Sequence, residues 1–96
     1  MLEKTLENYF IREVKKRGGL ALKLQALSMA GFPDRTVFFP NGMIYFVELK
    51  QEGKKPTKLQ QQMIDKLRNF GFKAYVIDTK EKVRQFLELA EHLNAV

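Results

Sequence analysis

Two charged side chains, Glu48 and Lys50, end a segment that otherwise has the composition of a buried strand. Residues 43–50 are rich in β-branched and aromatic types, which predicts a β-strand. Because strand side chains alternate, Glu48 and Lys50 point to the same face as Ile44 and Phe46. Burying charge on an apolar face costs free energy unless the groups pair or bind a metal. The segment therefore predicts a chemical site rather than an ordinary core strand.

Asp34 joins this pair if the preceding hairpin has the right register. Residues 36–39 read as the partner strand, and residues 40–42 (Pro-Asn-Gly) as the turn. A two-residue loop would place Asp34 opposite Leu49, on the wrong face. A three-residue loop places it directly opposite Glu48, and the local chemistry favours this version, with proline in a type I turn followed by a left-handed glycine. Opposed Cβ atoms lie about 5 Å apart, so the two carboxylates would repel unless they shared a divalent cation.

The order of these residues carries a family resemblance. Residues 31–35 read Gly-Phe-Pro-Asp-Arg, residues 46–50 read Phe-Val-Glu-Leu-Lys, and Leu59-Gln60 and then Gly71 follow. Pro-Asp, a hairpin and Glu-x-Lys resemble the PD-(D/E)xK nuclease superfamily. The longer pattern is similar to its virus-type replication-repair nuclease domain, VRR-NUC, in a minimal stand-alone form that covers nearly the whole chain.

This resemblance implies a fold and an activity. The fold would be α/β, with a restriction-endonuclease-like αβββαβ core, a mixed central sheet flanked by helices, and a C-terminal helix, all in one domain over residues 1–96. The activity would be metal-dependent, structure-specific hydrolysis of DNA phosphodiesters, in branched DNA such as Holliday junctions, by a homodimer. The cofactor would be Mg²⁺, with Mn²⁺ as a substitute. The setting would be the cytoplasm, for a phage protein in a bacterial host or a bacterial or prophage protein. A non-catalytic nucleic-acid-binding domain with the same fold is the alternative.

The resemblance also assigns roles to residues. Asp34, Glu48 and the backbone carbonyl of Leu49 would bind the metal. A glutamate of the first helix would complete the ligand set: comparison with VRR-NUC sequences favours Glu3, comparison with archaeal Holliday-junction resolvases favours Glu7, and we expect Glu3. Lys50 and Gln60 would be catalytic residues together with Asp34 and Glu48. The residues expected to contact DNA are Lys23, Arg35, Lys54, Lys55 and Lys58.

Gln60 has two interpretations. In the family the helix glutamine orders water or a ligand beside the metal. Gln60 also stands three residues after Thr57, which is the spacing of a helix capping box. Without the resemblance, the capping interpretation is the stronger.

Composition limits the chemistry available. The chain has no cysteine and a single histidine, His92, so thiolate metal sites and disulfides are excluded and histidine chemistry is poorly supplied. The lack of cysteine is compatible with a reducing cytosol. Seventeen Lys and Arg against eleven Asp and Glu give a net charge of +6, which suits a polyanionic partner. No segment has the length and apolarity of a membrane span, so we expect no membrane association.

The remaining segments predict the elements that position these residues. Residues 2–17 have an amphipathic helical pattern ended by Gly18-Gly19, and residues 20–24 read as a first strand. A second helix should run from Thr57 to Phe70, with Leu59, Met63, Leu67 and Phe70 facing inward. Residues 73–77 then read as a last strand. A final helix capped by Thr79 should follow, presenting Val83, Phe86, Leu87, Ala90 and Leu93 on one face.

Overall fold

A computed structural model describes residues 2–24 and 29–94, with side chains described as far as His92. The elements follow the predicted order, as a mixed four-stranded sheet with three helices. Strands β1, β2 and β3 are antiparallel neighbours, and β4 runs parallel to β3 on the outer side. The predicted loop over residues 25–32 lies partly outside the described residues. The elements are α1 (Glu3–Lys16), β1 (Leu20–Leu22), β2 (Arg35–Phe38), β3 (Ile44–Leu49), α2 (Lys58–Asn69), β4 (Lys73–Ile77) and α3 (Lys80–Asn94).

The β2–β3 hairpin has the predicted three-residue loop. The Phe39 N–H donates to the Met43 carbonyl at 3.1 Å, and the Gly42 N–H donates to the Phe39 carbonyl at 3.0 Å. Gly42 has a φ of +86°, the left-handed conformation that favours glycine. The strands pair Arg35 with Val47, and one further step along this register sets Asp34 opposite Glu48. The register prediction is confirmed.

The two faces of the sheet are covered by different helices. Tyr45, Val47 and Leu49 are fully buried in one core with residues of α1 and α3, such as Phe10 and Phe86. Alternation then sends Phe46 and Glu48 to the opposite face. There Phe46 makes edge-on ring contacts with Phe32 and Phe72, at centroid distances of 5.7 Å each. Since the buried α2 residues Ile64 and Leu67 lie outside the first core, α2 covers this second face. Asp34, Glu48 and Lys50 therefore belong to the α2 side of the sheet.

Helix α2 is rotated relative to the sequence prediction. Leu59 and Phe70 were expected to face inward, but their side chains are 55% and 65% exposed. The buried residues are Ile64 and Leu67, and the inward stripe continues to the half-buried Gln60. A tertiary contact accompanies this rotation at the helix start, where the Gly31 backbone lies against the backbone of Leu59 and Gln60.

The other element boundaries are close to those predicted. Strand β1 ends at Leu22 rather than Leu24, and β4 spans residues 73–77 as expected. The Thr79 side chain accepts a hydrogen bond from the Lys82 N–H at 3.1 Å, which confirms the predicted cap of α3. The side chain of Leu93, predicted to face inward, lies outside the described residues. Within the described ranges no helix combines the length and apolarity that crossing a bilayer requires.

Candidate active site

The centre of the site is a pair of neighbouring carboxyl groups at one edge of the sheet. One Asp34 carboxylate oxygen accepts a hydrogen bond from the Leu49 N–H at 2.9 Å, which holds Asp34 against the end of β3. Glu48 is 1% exposed. Its Oε2 lies 3.8 Å from the Lys50 Nζ, while its Oε1 is buried and has no hydrogen-bond partner among the described residues. A buried carboxylate oxygen without a partner is costly, and such a group calls for an explanation.

The electrostatics of the pair favour a bound proton or cation. Burial raises the pKa of Glu48 to about 8, helped by the charge of Asp34 and by a hydrogen bond from the neutral Glu48 carboxyl to Asp34. The positive charge of Lys50 lowers the Glu48 pKa and only partly offsets these effects. At neutral pH the metal-free pair therefore retains a proton between two carboxyl groups. A divalent cation can take the place of that proton, because it satisfies both carboxylates at once.

The donor set fits a hard divalent metal ion. Asp34 and Glu48 supply carboxylate oxygens, and the Leu49 carbonyl belongs to the same strand end. Oxygen ligands of this kind suit Mg²⁺ or Mn²⁺, and Mg²⁺ retains water as its other ligands. Among residues 2–24 and 29–94, no group of three or more Asp, Glu, His or Cys side chains is positioned to hold a metal. The protein ligands in this conformation are therefore a pair rather than a cluster.

The glutamates predicted to complete the ligand set do not reach this pair here. Glu3 is exposed at the first position of α1. Glu7 forms an ion pair with Arg35, with its Oε2 3.3 Å from a terminal guanidinium nitrogen. Because α1 packs on the sheet face opposite Glu48, either carboxylate would have to pass around the edge of the sheet to contact the metal.

Arg35 has a different environment from the expected DNA contact. Its side chain is 14% exposed and donates a hydrogen bond to the Ala21 carbonyl at 3.2 Å as well as pairing with Glu7. The reason is strand alternation, which points Arg35 away from the face that Asp34 shares with Glu48. Arg35 thus connects α1, β1 and β2 behind the site, and we do not include it in the proposed DNA-binding surface.

Gln60 forms the capping box that its spacing predicts. The Gln60 Oε1 accepts from the Thr57 N–H at 2.8 Å, and the Gln60 N–H donates to the Thr57 hydroxyl at 3.2 Å. The cap occupies one side-chain oxygen and leaves the amide NH₂ group. A Cβ added to Gly31 would lie 2.7 Å from the Leu59 carbonyl oxygen, so glycine permits the loop before Asp34 to touch the start of α2. This contact places Gln60 and the carboxyl pair on the same side of the sheet.

The predicted phosphate-contacting lysines remain exposed. Lys23 follows β1, whereas Lys54, Lys55 and Lys58 follow the Glu48–Lys50 strand end. The sequence reading missed Asp78, which organises the turn before Lys54. Its carboxylate accepts from the Gly53 N–H at 3.0 Å and pairs with Lys82 at 2.8 Å. The sequence could have indicated Asp78 through its position directly after β4, because β4 is parallel to β3 and both strands end at the edge where the site lies.

Comparison with known proteins agrees with this architecture. The VRR-NUC domain family model matches residues 6–81, which is most of the chain. The chain belongs to the VRR-NUC family. It is 39% identical over 79 residues to a protein named "Putative nuclease p44" from Acyrthosiphon pisum secondary endosymbiont phage 1, covering 82% of this chain and 85% of that protein. A solved structure described as a VRR_NUC domain matches with a TM-score of 0.85 and 30% identity, over 92% of this chain and 96% of the other. The VRR-NUC match includes Asp34, Glu48, Lys50 and Gln60, whereas Glu3 precedes the matched region.

Proposed function

We propose that this VRR-NUC protein is a metal-dependent DNA endonuclease. The observation that carries the proposal is the Asp34–Glu48 pair, in which the buried Glu48 has an oxygen without a hydrogen-bond partner among the described residues and a pKa raised to about 8. A pair of this kind gains little for folding, whereas it is suited to binding a divalent cation. The nuclease family and the name of the phage relative support hydrolysis of nucleic acid as the reaction.

The chain's own residues have distinct tasks in this reaction. Asp34 is held in place by the Leu49 N–H, and it would bind the ion together with Glu48 and the Leu49 carbonyl. When bound, Mg²⁺ or Mn²⁺ would activate water and offset negative charge on the scissile phosphate. Water oxygen forms the new bond to phosphorus, and the bond to the leaving sugar oxygen breaks. Lys50, whose side chain is 16% exposed beside Glu48, orients that water or stabilises the charge of the transition state.

The third protein ligand is proposed from the resemblance alone. Glu3 is exposed at the start of α1, and a rearrangement of that first turn around the sheet edge would bring it to the metal. Glu7 would first have to release Arg35. We therefore retain Glu3 as the proposed ligand, acting directly or through water, and assign Glu7 to the support of Arg35. The Gln60 amide group would order water beside the metal while its oxygen caps α2.

The proposed substrate is branched DNA such as a Holliday junction, cut by a homodimer. A two-fold protein matches a junction that offers two equivalent strands, and a chain of 96 residues has a small footprint by itself. The net charge of +6 and the exposed Lys54, Lys55 and Lys58 support binding to a polyanion. The phage source of the relative supports action in the cytoplasm of a bacterial host.

A cleavage panel tests the proposal. Labelled four-way, flap and linear DNA are incubated with the protein in Mg²⁺, in Mn²⁺ and in chelator, beside an Asp34→Asn variant. We expect cutting in either metal, fastest on the four-way junction, and none in chelator or with the variant. Binding to all three DNAs without cleavage in any metal would instead establish a non-catalytic binding domain. Cleavage that persists in chelator would refute the metal assignment.

A further inference from the structure

A second group of basic side chains surrounds the Tyr9 ring, where α1 meets α3. The Lys80 Nζ lies 4.9 Å from the ring centroid, and the Arg12 guanidinium carbon lies 5.7 Å from it. The pKa of the Arg84 guanidinium is raised by Glu81 and, to a smaller degree, by the Tyr9 hydroxyl. We call Tyr9, Arg12, Lys80 and Arg84 the Tyr9 cluster.

Two cations of this cluster have no acidic partner among the described residues. Arg84 pairs with Glu81 at 2.7 Å. In the part of the chain that the structure describes, Arg12 and Lys80 have only the Tyr9 ring as a partner. Lys80 is also the first residue of α3, where a positive charge opposes the helix dipole. The fold therefore gains little from two cations here, and both are available to an anion.

The cluster lies at the same edge of the sheet as the carboxyl pair, but on the other face. Because β3 and β4 are parallel, their C-terminal ends lie side by side. The Lys50 N–H donates a hydrogen bond to the Ile77 carbonyl there, at 2.9 Å. Lys80 follows Ile77 by three residues and begins α3, which packs with α1 on the face opposite Glu48. Two basic surfaces thus flank the edge: Lys54, Lys55 and Lys58 from one side, and the Tyr9 cluster from the other.

We infer that the Tyr9 cluster binds phosphates of the DNA backbone, so that the substrate contacts both faces of the sheet edge around the active site. The inference rests on the proposed DNA substrate and extends the contact surface beyond the lysines after β3. Phosphodiesters carry one negative charge each, and lysine and arginine beside an aromatic ring can neutralise them without reading the base sequence. The contribution is to affinity and placement, since the cluster does not touch the carboxyl pair.

Matched double variants test the inference. Arg12→Gln with Lys80→Gln removes two positive charges from the cluster. Lys66→Gln with Lys73→Gln removes the same charge from the opposite edge of the sheet, and Lys66 also lies over a ring, 5.9 Å from the Phe70 centroid. Binding to a labelled four-way junction is measured in chelator at several salt concentrations, so that no cleavage is required. Melting temperatures verify the fold, and Lys80→Gln alone serves if the double variant is unstable.

We expect the cluster variant to bind at least about tenfold more weakly near 0.1 M salt. The slope of log affinity against log salt should fall by about 1–2, because each neutralised duplex phosphate contributes about 0.9. The control variant should retain the wild-type slope. Equal slopes for the two double variants would overturn the inference. A cluster variant that changes from dimer to monomer in solution while its slope stays unchanged would overturn it as well. Binding is measured in chelator, so the comparison of the two slopes still tests the inference if the protein does not hydrolyse DNA.

Discussion

The ionisation of Glu48 should make the metal-free protein less stable as the pH rises. The folded-state pKa of this carboxyl is raised from 4.5 to about 8, so the folded protein retains a proton that the unfolded chain has released. Stability therefore decreases with increasing pH between these two values, at up to about 1.4 kcal/mol per pH unit. Over the whole interval the loss would be about 5 kcal/mol, and solvent screening at the half-buried Asp34 and Lys50 lowers the expected loss to the order of 3 kcal/mol.

Thermal melting in chelator between pH 5.5 and pH 9 measures this loss. For a domain of this size, about 3 kcal/mol corresponds to roughly 12–24 °C in melting temperature. Glu48→Gln should remove most of the decline, because the amide is neutral at every pH and can still donate a hydrogen bond to Asp34. The matched control Glu88→Gln changes an exposed glutamate of α3 and should follow the wild-type curve. Added Mg²⁺ should restore the wild type most strongly above pH 8, where no proton competes with the ion.

Two results would refute this reasoning. A wild-type melting temperature independent of pH over this range would show that Glu48 ionises without penalty, so the two carboxyl groups would not be crowded. A decline of equal size in Glu48→Gln would place the responsible group elsewhere. In either case the structural argument for a shared cation at this pair would fail.

Four further predictions concern the surroundings of the pair and the backbone turns that position it. Lys50→Ala should leave DNA binding in chelator within about threefold of wild type, while single-turnover cleavage falls at least about 100-fold; equal losses would make Lys50 a phosphate contact instead. Glu7→Gln should lower the free energy of unfolding in chelator by about 1–2 kcal/mol, because it weakens the charge pairing of a largely buried guanidinium. Glu3→Gln should leave stability unchanged and raise the Mg²⁺ concentration needed for cleavage. If Glu7→Gln raises that concentration more than Glu3→Gln does, Glu7 is the metal ligand instead. Gly42→Ala should cost about 1 kcal/mol from its positive φ alone, whereas Gly31→Ala should cost about 3 kcal/mol because its Cβ also meets the α2 backbone at 2.7 Å; equal denaturant midpoints for the two would contradict the close packing.

The sequence by itself determined the features that depend on neighbouring residues. The Pro-Asn-Gly turn predicts the hairpin register, because its backbone chemistry favours three loop residues with a left-handed Gly42. That register and strand alternation were enough to align Asp34 with Glu48. The capping box of α2 is equally local, so the sequence predicts the contacts between Thr57 and Gln60 correctly.

Tertiary structure decided which face of the sheet each helix covers and how each helix is rotated. Arg35 turned out to face α1 and Glu7, because no local pattern specifies the side on which α1 packs. Leu59 is exposed on a helix whose start lies against Gly31, and a count of apolar positions contains no such contact. The burial that raises the Glu48 pKa likewise depends on segments far apart in the chain. The local sequence is therefore sufficient to align Asp34 with Glu48. Long-range packing buries Glu48, and this burial makes the pair favourable for binding a cation.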